Sequence, residues 1–302
     1  MDLGRIGTAM ITPFKKDGTI NYPELERIID HLINNGTDAI IACGTTSENP
    51  TMSTEEKTEV VRFTVEKVAG RIPVIAGTGD NETAYSIAMT HKAEANGADG
   101  IMLVTPYYNK PNQQGMYAHF TTIAKETTLP VMLYNVPGRT GANVLAETTV
   151  KLSKVDNITS IKEASGNLDQ MGDIIENVDN DFIVYSGDDG LTLPLLAIGG
   201  KGVISVASHV VGNDMQQMIR AFHEGRHAEA AKIHRALLPL VRALFAQPNP
   251  SPIKYAMTKL GFDTLDVRLP MVEMTNEEKA AFDCIWDTYQ EKAAKFRELQ
   301  VN

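Results

Sequence analysis

Residues 131–163 read VMLYNVPGRTGANVLAETTVKLSKVDNITSIKE. Val131–Asn135 is a short apolar run closed by an asparagine, Ala146–Leu152 has a helical pattern, and Thr159–Glu163 is a second short strand candidate. Strands apolar on both sides of the pleat are those of a parallel sheet covered on both faces. The same alternation extends outward in both directions. Further strands are expected at Ile6–Thr12, Ala39–Gly44, Val74–Thr78, Gly100–Thr105, Phe182–Ser186 and Gly202–Val206. Helices are expected at Tyr22–Asn34, Thr54–Val68, Glu82–Asn96, Gln114–Glu126 and Leu168–Glu176. Ser53, with Glu56 three residues on, reads as a capping box, and Gly36, Gly70 and Gly97 stand where left-handed residues close helices.

Eight strands alternating with helices predict an α/β fold, a (β/α)8 TIM barrel, over 1–225. An open doubly wound sheet is disfavoured because Gly77-Thr78-Gly79 runs into Asp80-Asn81-Glu82 without a third glycine. From about 226 the pattern becomes helices alone, His227–Phe245, Ile253–Leu260 and Asn276–Leu299, read as a C-terminal helical extension over 226–302.

Composition narrows the function. The chain of 302 residues carries a formal charge of −10, which argues against nucleic acid and anionic membranes as partners. Anionic substrates would therefore need cations placed locally. Two distant cysteines, Cys43 and Cys284, support neither a disulfide framework nor a zinc site. The opening MDLGRIGTAMITPF lacks the features of a signal peptide, and no long apolar run suggests a membrane span, so a cytoplasmic location is expected.

In such a barrel the chemistry sits at the C-terminal strand ends. Those ends carry Gly44-Thr45-Thr46-Ser47-Glu48, Thr105-Pro106-Tyr107-Tyr108-Asn109, Tyr134 through Arg139, Ile161-Lys162-Glu163, Ser186-Gly187-Asp188 and Val203-Ile204-Ser205. Lys162 stands out as a lysine within a strand pattern. An ammonium turned into the interior loses hydration, favouring the neutral amine that attacks a ketone. The structural alternative is a lysine paired with Glu163 or an acidic loop. Tyr134 and Tyr108 supply phenols and Thr45 a hydroxyl able to relay protons, as Schiff-base formation requires; each could instead be an ordinary packing or turn residue. Arg139 after Pro137-Gly138 suits a substrate carboxylate, or else is a solvated surface arginine.

Together these ends resemble the dihydrodipicolinate synthase/N-acetylneuraminate lyase family of class I pyruvate aldolases. The likeness spans the chain and is carried by GTTSE (44–48), YYNKP (107–111), YNVPGRTG (134–141), IKEASG (161–166) and GVISV (202–206). It implies that Lys162 forms an imine with pyruvate and that Thr45 and Thr46 hold its carboxylate. Tyr134, Thr45 and a neighbouring subunit's Tyr108 would relay protons, while Gly187 and the Ile204 carbonyl line the pocket. Arg139 would bind the carboxylate of L-aspartate 4-semialdehyde, giving 4-hydroxy-tetrahydrodipicolinate on the route to diaminopimelate and lysine. The resemblance further implies a homotetramer, a dimer of tight dimers, with no metal and no organic cofactor.

Ser47 departs from the family's usual glycine and would be strained if that position needs positive φ. Thr54, Lys57 and Tyr85 replace the histidines and glutamate of lysine-inhibited members, although Asn81 and Tyr107 are kept. A like charge added and a carboxylate lost imply weak or absent inhibition by lysine. Competing readings are a lyase for N-acetylneuraminate or a 2-keto-3-deoxy sugar acid, a metal-dependent hydrolase, and a silent sensor. Arg139 speaks against the first; against the second, His223 and His227, although at i and i+4, have Gly225 between them and lie outside the strand ends. Retention of the relay residues speaks against the third.

Overall fold

A computed structural model describes residues 1–297. Its chain order is β1 (Ile6–Ala9), α1 (Tyr22–Asn34), β2 (Ala39–Ala42), α2 (Thr54–Val68), β3 (Val74–Gly77), α3 (Thr83–Ala95), β4 (Gly100–Val104) and α4 (Gln113–Ala124). There follow β5 (Val131–Asn135), α5 (Pro137–Thr140), α6 (Ala146–Leu152), β6 (Ile158–Glu163), α7 (Leu168–Asn177), β7 (Ile183–Ser186), α8 (Thr192–Ala197) and β8 (Gly202–Ser205). Four helices end the described chain: α9 (Ser208–His223), α10 (His227–Leu244), α11 (Ser251–Thr258) and α12 (Asn276–Arg297). Each strand pairs in parallel with the next, and β8 returns to β1 through Gly7 opposite Ile204, closing the barrel. The expected (β/α)8 architecture is present.

Two apolar layers follow from the period of two along each strand. Inside the barrel lie Ala39, Ile41, Ile75, Met102, Met132, Tyr134, Tyr185 and Ile204. The opposite faces, with Ile40, Ile101, Leu133, Ile161 and Val203, pack against the surrounding helices. Ser53 and Glu56 form the expected capping box, and Gly36, Gly70 and Gly97 all have positive φ. At the end of α2 the left-handed turn already begins at Ala69.

Some elements escape the periodicity. The one-turn α5 and the six-residue α8 are too short to show a period. Helix α9 is interrupted at Val211, whose backbone is non-helical, and its Val210-Val211-Gly212 stretch is poor in helix formers. Gly212 lies where an added Cβ would come within 2.1 Å of the Asn35 carbonyl, so the helix bends over the end of α1. The last turn expected up to Leu299 lies outside the described residues. No helix among the described residues is long and apolar enough to cross a membrane.

The C-terminal helices are locked to the barrel mouth. Lys254 on α11, fully buried, places Nζ 2.5 Å from Glu48 Oε1 and 2.7 Å from the Asp266 carbonyl. The Arg268 N–H donates to the other Glu48 oxygen at 2.9 Å, and its guanidinium pairs with Glu56. Lys254 and Arg268 both stack on Phe14, at 4.4 and 4.3 Å from the ring centre. At the same end of the barrel, His209 joins the segments that follow β1 and β8: its Nε2 accepts from Ile11 N at 3.1 Å while Nδ1 donates to the Val206 carbonyl at 2.8 Å.

Burial pushes His209 down to about 4 from an ordinary 6.5. The unfolded chain therefore takes up a proton below pH 6.5 that the folded chain refuses until about pH 4. Its contribution is fully present above the unfolded value and is lost on acidification, by about 2 kcal/mol at about pH 5. Urea unfolding at about pH 7 and about pH 5 should show a shallower loss of stability in H209Q than in the parent chain. Equal slopes would refute this assignment.

Candidate active site

The mouth of the barrel opens into a cavity of about 240 Å³ whose walls include Gly44, Thr45, Tyr134, Arg139, Val136 and Thr140. Cys43, Asn49, Lys57, Asp80 and Tyr107 extend it along β2, β3 and β4. Of the expected site residues Thr45, Tyr134 and Arg139 are on these walls, whereas Lys162, Thr46, Gly187 and Ile204 are not; strand geometry sets Lys162 beside Tyr134. Tyr134 and Lys162 are register partners on β5 and β6, so both project into the barrel. Lys162 is 5% exposed and its Nζ sits 4.3 Å from the centre of the Tyr134 ring. Among the described residues no carboxylate lies within ion-pair distance of it.

Glu163, the partner that the structural alternative required, points to the opposite side of β6. It is fully buried there, accepting from Asn135 Nδ2 at 2.9 Å, Gln170 Nε2 at 3.1 Å and Ser165 N at 2.7 Å. The two neighbouring charged residues thus serve different layers. Tyr185, register partner of Lys162 on β7, is inside too, but its phenol engages Leu3 N and the Gly4 carbonyl at the other end of the barrel.

Gly187 is the backbone against which Lys162 rests. A Cβ there would come within 2.5 Å of Ala164 Cβ, closer than real Cβ atoms approach, and 3.2 Å from Lys162 Cε and Cγ, so a larger residue would collide with Ala164 and press on the lysine chain by a few tenths of an ångström. Ile204 is buried in the barrel core at the closing seam. Thr45 opens the 3-10 turn Thr45–Ser47 and is half-buried at the cavity wall. Thr46, behind it, is buried and accepts from Asn249 Nδ2 at 3.0 Å. Ser47 is not the strained residue of this turn. The left-handed position is Glu48, with φ of 58°, and Ser47 Oγ donates to the Met10 carbonyl at 2.6 Å, tying the turn to the end of β1.

Arg139 lies exposed on α5 at the cavity rim. Tyr108 is not brought to this cavity. It is 89% exposed on a left-handed backbone with φ of 71°. Its neighbour Tyr107 lines the cavity instead and donates to Asp80 Oδ2 at 2.9 Å; burial, then that carboxylate, push the phenol up to about 12. Sequence reasoning also missed Asn249, Lys254 and Arg268, since nothing in their spacing links the C-terminal segment to the turn at 45–48. The Phe222 ring packs against both His223 and His227, at 5.8 and 5.1 Å between centres. Among the described residues no three His, Cys, Asp or Glu side chains converge as a metal set would require.

The model of the dihydrodipicolinate synthetase family matches residues 2–287. The chain belongs to this family. Among its relatives, a 4-hydroxy-tetrahydrodipicolinate synthase of Bacillus velezensis is 55% identical over 285 residues, covering 94% of this chain and 99% of the relative. A crystal structure of a dihydrodipicolinate synthase from Bacillus anthracis superposes with a TM-score of 0.93 at 50% identity, covering 94% and 98% of the two chains. A chloride-inhibited dihydrodipicolinate synthase from Acinetobacter baumannii, solved in complex with pyruvate, matches at 0.93 and 35% identity over 96% and 99%.

The contact at Gly187 makes a direct prediction. G187A should displace Lys162 and lower turnover by about a hundredfold, with the circular dichroism spectrum of the folded barrel retained. Turnover within about twofold of the parent would show that the lysine chain does not need this space.

Proposed function

We propose that this chain condenses pyruvate with L-aspartate 4-semialdehyde to form 4-hydroxy-tetrahydrodipicolinate, the committed step toward diaminopimelate and lysine. The observation that carries this reading is Lys162, buried on the inner barrel face without a carboxylate partner among the described residues and held against Tyr134. An amine so placed is suited to nucleophilic attack on a ketone. Relatives over nearly the whole chain carry the name of this synthase.

In this reading Lys162 Nζ adds to C2 of pyruvate, and loss of water leaves an iminium ion. The protonated imine draws electrons from the methyl group, which gives up a proton to become an enamine. The enamine carbon attacks the aldehyde carbon of the second substrate, whose oxygen takes up a proton. The amino group of that substrate then adds to the imine carbon, closing the ring and releasing Lys162. One water leaves overall. Tyr134, with Thr45 and a neighbouring protomer's Tyr108, moves the protons. The Thr45–Thr46 turn holds the pyruvate carboxylate and Arg139 the carboxylate of the aldehyde. Gly187 and the Ile204 carbonyl complete the wall. No metal or organic cofactor takes part in these steps.

The proposed assembly is a homotetramer built as a dimer of tight dimers. Support comes from Tyr108, a large aromatic left exposed beside the cavity wall residue Tyr107. Weak or absent lysine inhibition is supported by the contacts among the substituted residues. Tyr85 OH lies 3.0 Å from Thr54 Oγ1 and 3.3 Å from Lys57 Nζ, so these groups bond one another and carry no carboxylate for a cationic effector.

Borohydride reduction with pyruvate, followed by peptide mapping, should place one pyruvate-derived adduct on Lys162 and none on K162A. Product should form from aspartate 4-semialdehyde and pyruvate, with N-acetylneuraminate left uncleaved and EDTA without effect. An adduct elsewhere, or none, would remove the Schiff-base reading. In the same assay sub-millimolar lysine should leave the rate unchanged; measurable inhibition would refute the lysine-insensitive reading.

A further inference from the structure

The Thr46 hydroxyl has a partner from far away in the chain. Asn249, in the segment joining α10 to α11, donates through Nδ2 to Thr46 Oγ1 at 3.0 Å. Both side chains are buried, Thr46 at 2% exposure and Asn249 at 6%. An amide N–H only donates, so the threonine oxygen accepts and its own O–H remains available for another acceptor. Among the described residues no acceptor occupies that O–H.

The other half of the amide argues for a role beyond packing. Asn249 Oδ1 is buried with no hydrogen-bond partner among the described residues. A buried carbonyl left unpaired is destabilising, and an apolar side chain would fill the same space at lower free energy. What the asparagine supplies here is the N–H directed at Thr46. Its seat is firm as well. Lys254, in the helix α11 that follows, bonds Glu48, so this stretch of chain grips the turn at both Thr46 and Glu48.

We propose that Asn249 is a positioning residue for substrate binding. It holds the Thr46 oxygen as an acceptor, so that the Thr46 O–H is presented as a donor to the pyruvate carboxylate. This rests on the reading that the Thr45–Thr46 turn is the pyruvate-carboxylate site. An ionised aspartate at 249 could only accept. It would draw the Thr46 O–H toward itself and set a negative charge beside an anionic substrate. An alanine would remove the N–H and leave the hydroxyl free to rotate.

The test is the pyruvate dependence of borohydride-trapped adduct on Lys162 in the full-length parent, N249A and N249D, together with steady-state KM values for both substrates. The pyruvate concentration giving half-maximal adduct should rise about threefold to tenfold in N249A and more than about tenfold in N249D. The KM for aspartate 4-semialdehyde should stay within about twofold of the parent. The melting temperature of N249A should fall only slightly, because the lost Thr46 bond and side-chain volume are offset by removal of the unpaired carbonyl. A purely structural asparagine would instead lower the melting temperature with the pyruvate dependence unmoved, and that pattern overturns the proposal. Should N249D fail to fold, N249A decides alone. If the parent chain itself forms no adduct, the Schiff-base reading falls and this inference falls with it; an adduct in all three proteins with one pyruvate dependence refutes this inference only.

Discussion

Closure of the eight-stranded sheet is the constraint from which the rest follows. Once β8 pairs with β1, every strand has an inner face and an outer face, and adjacent residues must take opposite ones. Lys162 and Glu163 show the consequence. One chain position separates them, yet Glu163 belongs to an amide-rich layer with Asn135 and Gln170 while Lys162 enters the barrel beside Tyr134. On a shared face the carboxylate would have engaged the amine; here it does not. The pleat keeps them apart without any further device.

The barrel alone does not hold its mouth. The turn at 45–48 is fastened from three directions: Ser47 to the end of β1, Thr46 to Asn249, and Glu48 to Lys254 and the Arg268 backbone. The Glu48–Lys254 pair is almost wholly removed from water, with side-chain exposures of 1% and 0%. Burial lowers the pKa of Lys254, against the opposing pull of Glu48. Such a pair adds little net stability over an apolar substitute, but losing one partner leaves an uncompensated buried charge costing about 3–5 kcal/mol. Its worth lies in fixing one arrangement of turn and helix. The helices that follow the barrel are thus part of how the site is shaped.

Electrostatics follow the same division between whole and part. The chain is acidic overall at −10, while the cavity mouth gathers Lys57 and Arg139 at its walls and Lys162 behind Tyr134. A protein that repels anions in general can still take an anionic substrate where cations are placed in a partly desolvated cleft. Asp80 in the same wall is occupied by the Tyr107 hydroxyl.

By itself the sequence determined the strand–helix alternation, hence the parallel barrel, because apolar period and turn residues are local properties. It also offered candidates at the strand ends: Lys162, Tyr134, Thr45 and Arg139 stand out by residue type and place, and the structure sets the last three on the cavity wall with Lys162 against the Tyr134 ring. Tertiary structure alone decided which neighbours those residues meet. That Glu163 is no partner of Lys162, that Glu48 rather than Ser47 bears the left-handed backbone, and that Gly187 makes room for the lysine are facts of packing between strands. The approach of Asn249 and Lys254 to the turn at 45–48 spans some two hundred residues of sequence. Contacts at that separation leave no periodic trace in the chain, because they are set by how closed layers pack and not by local backbone preference.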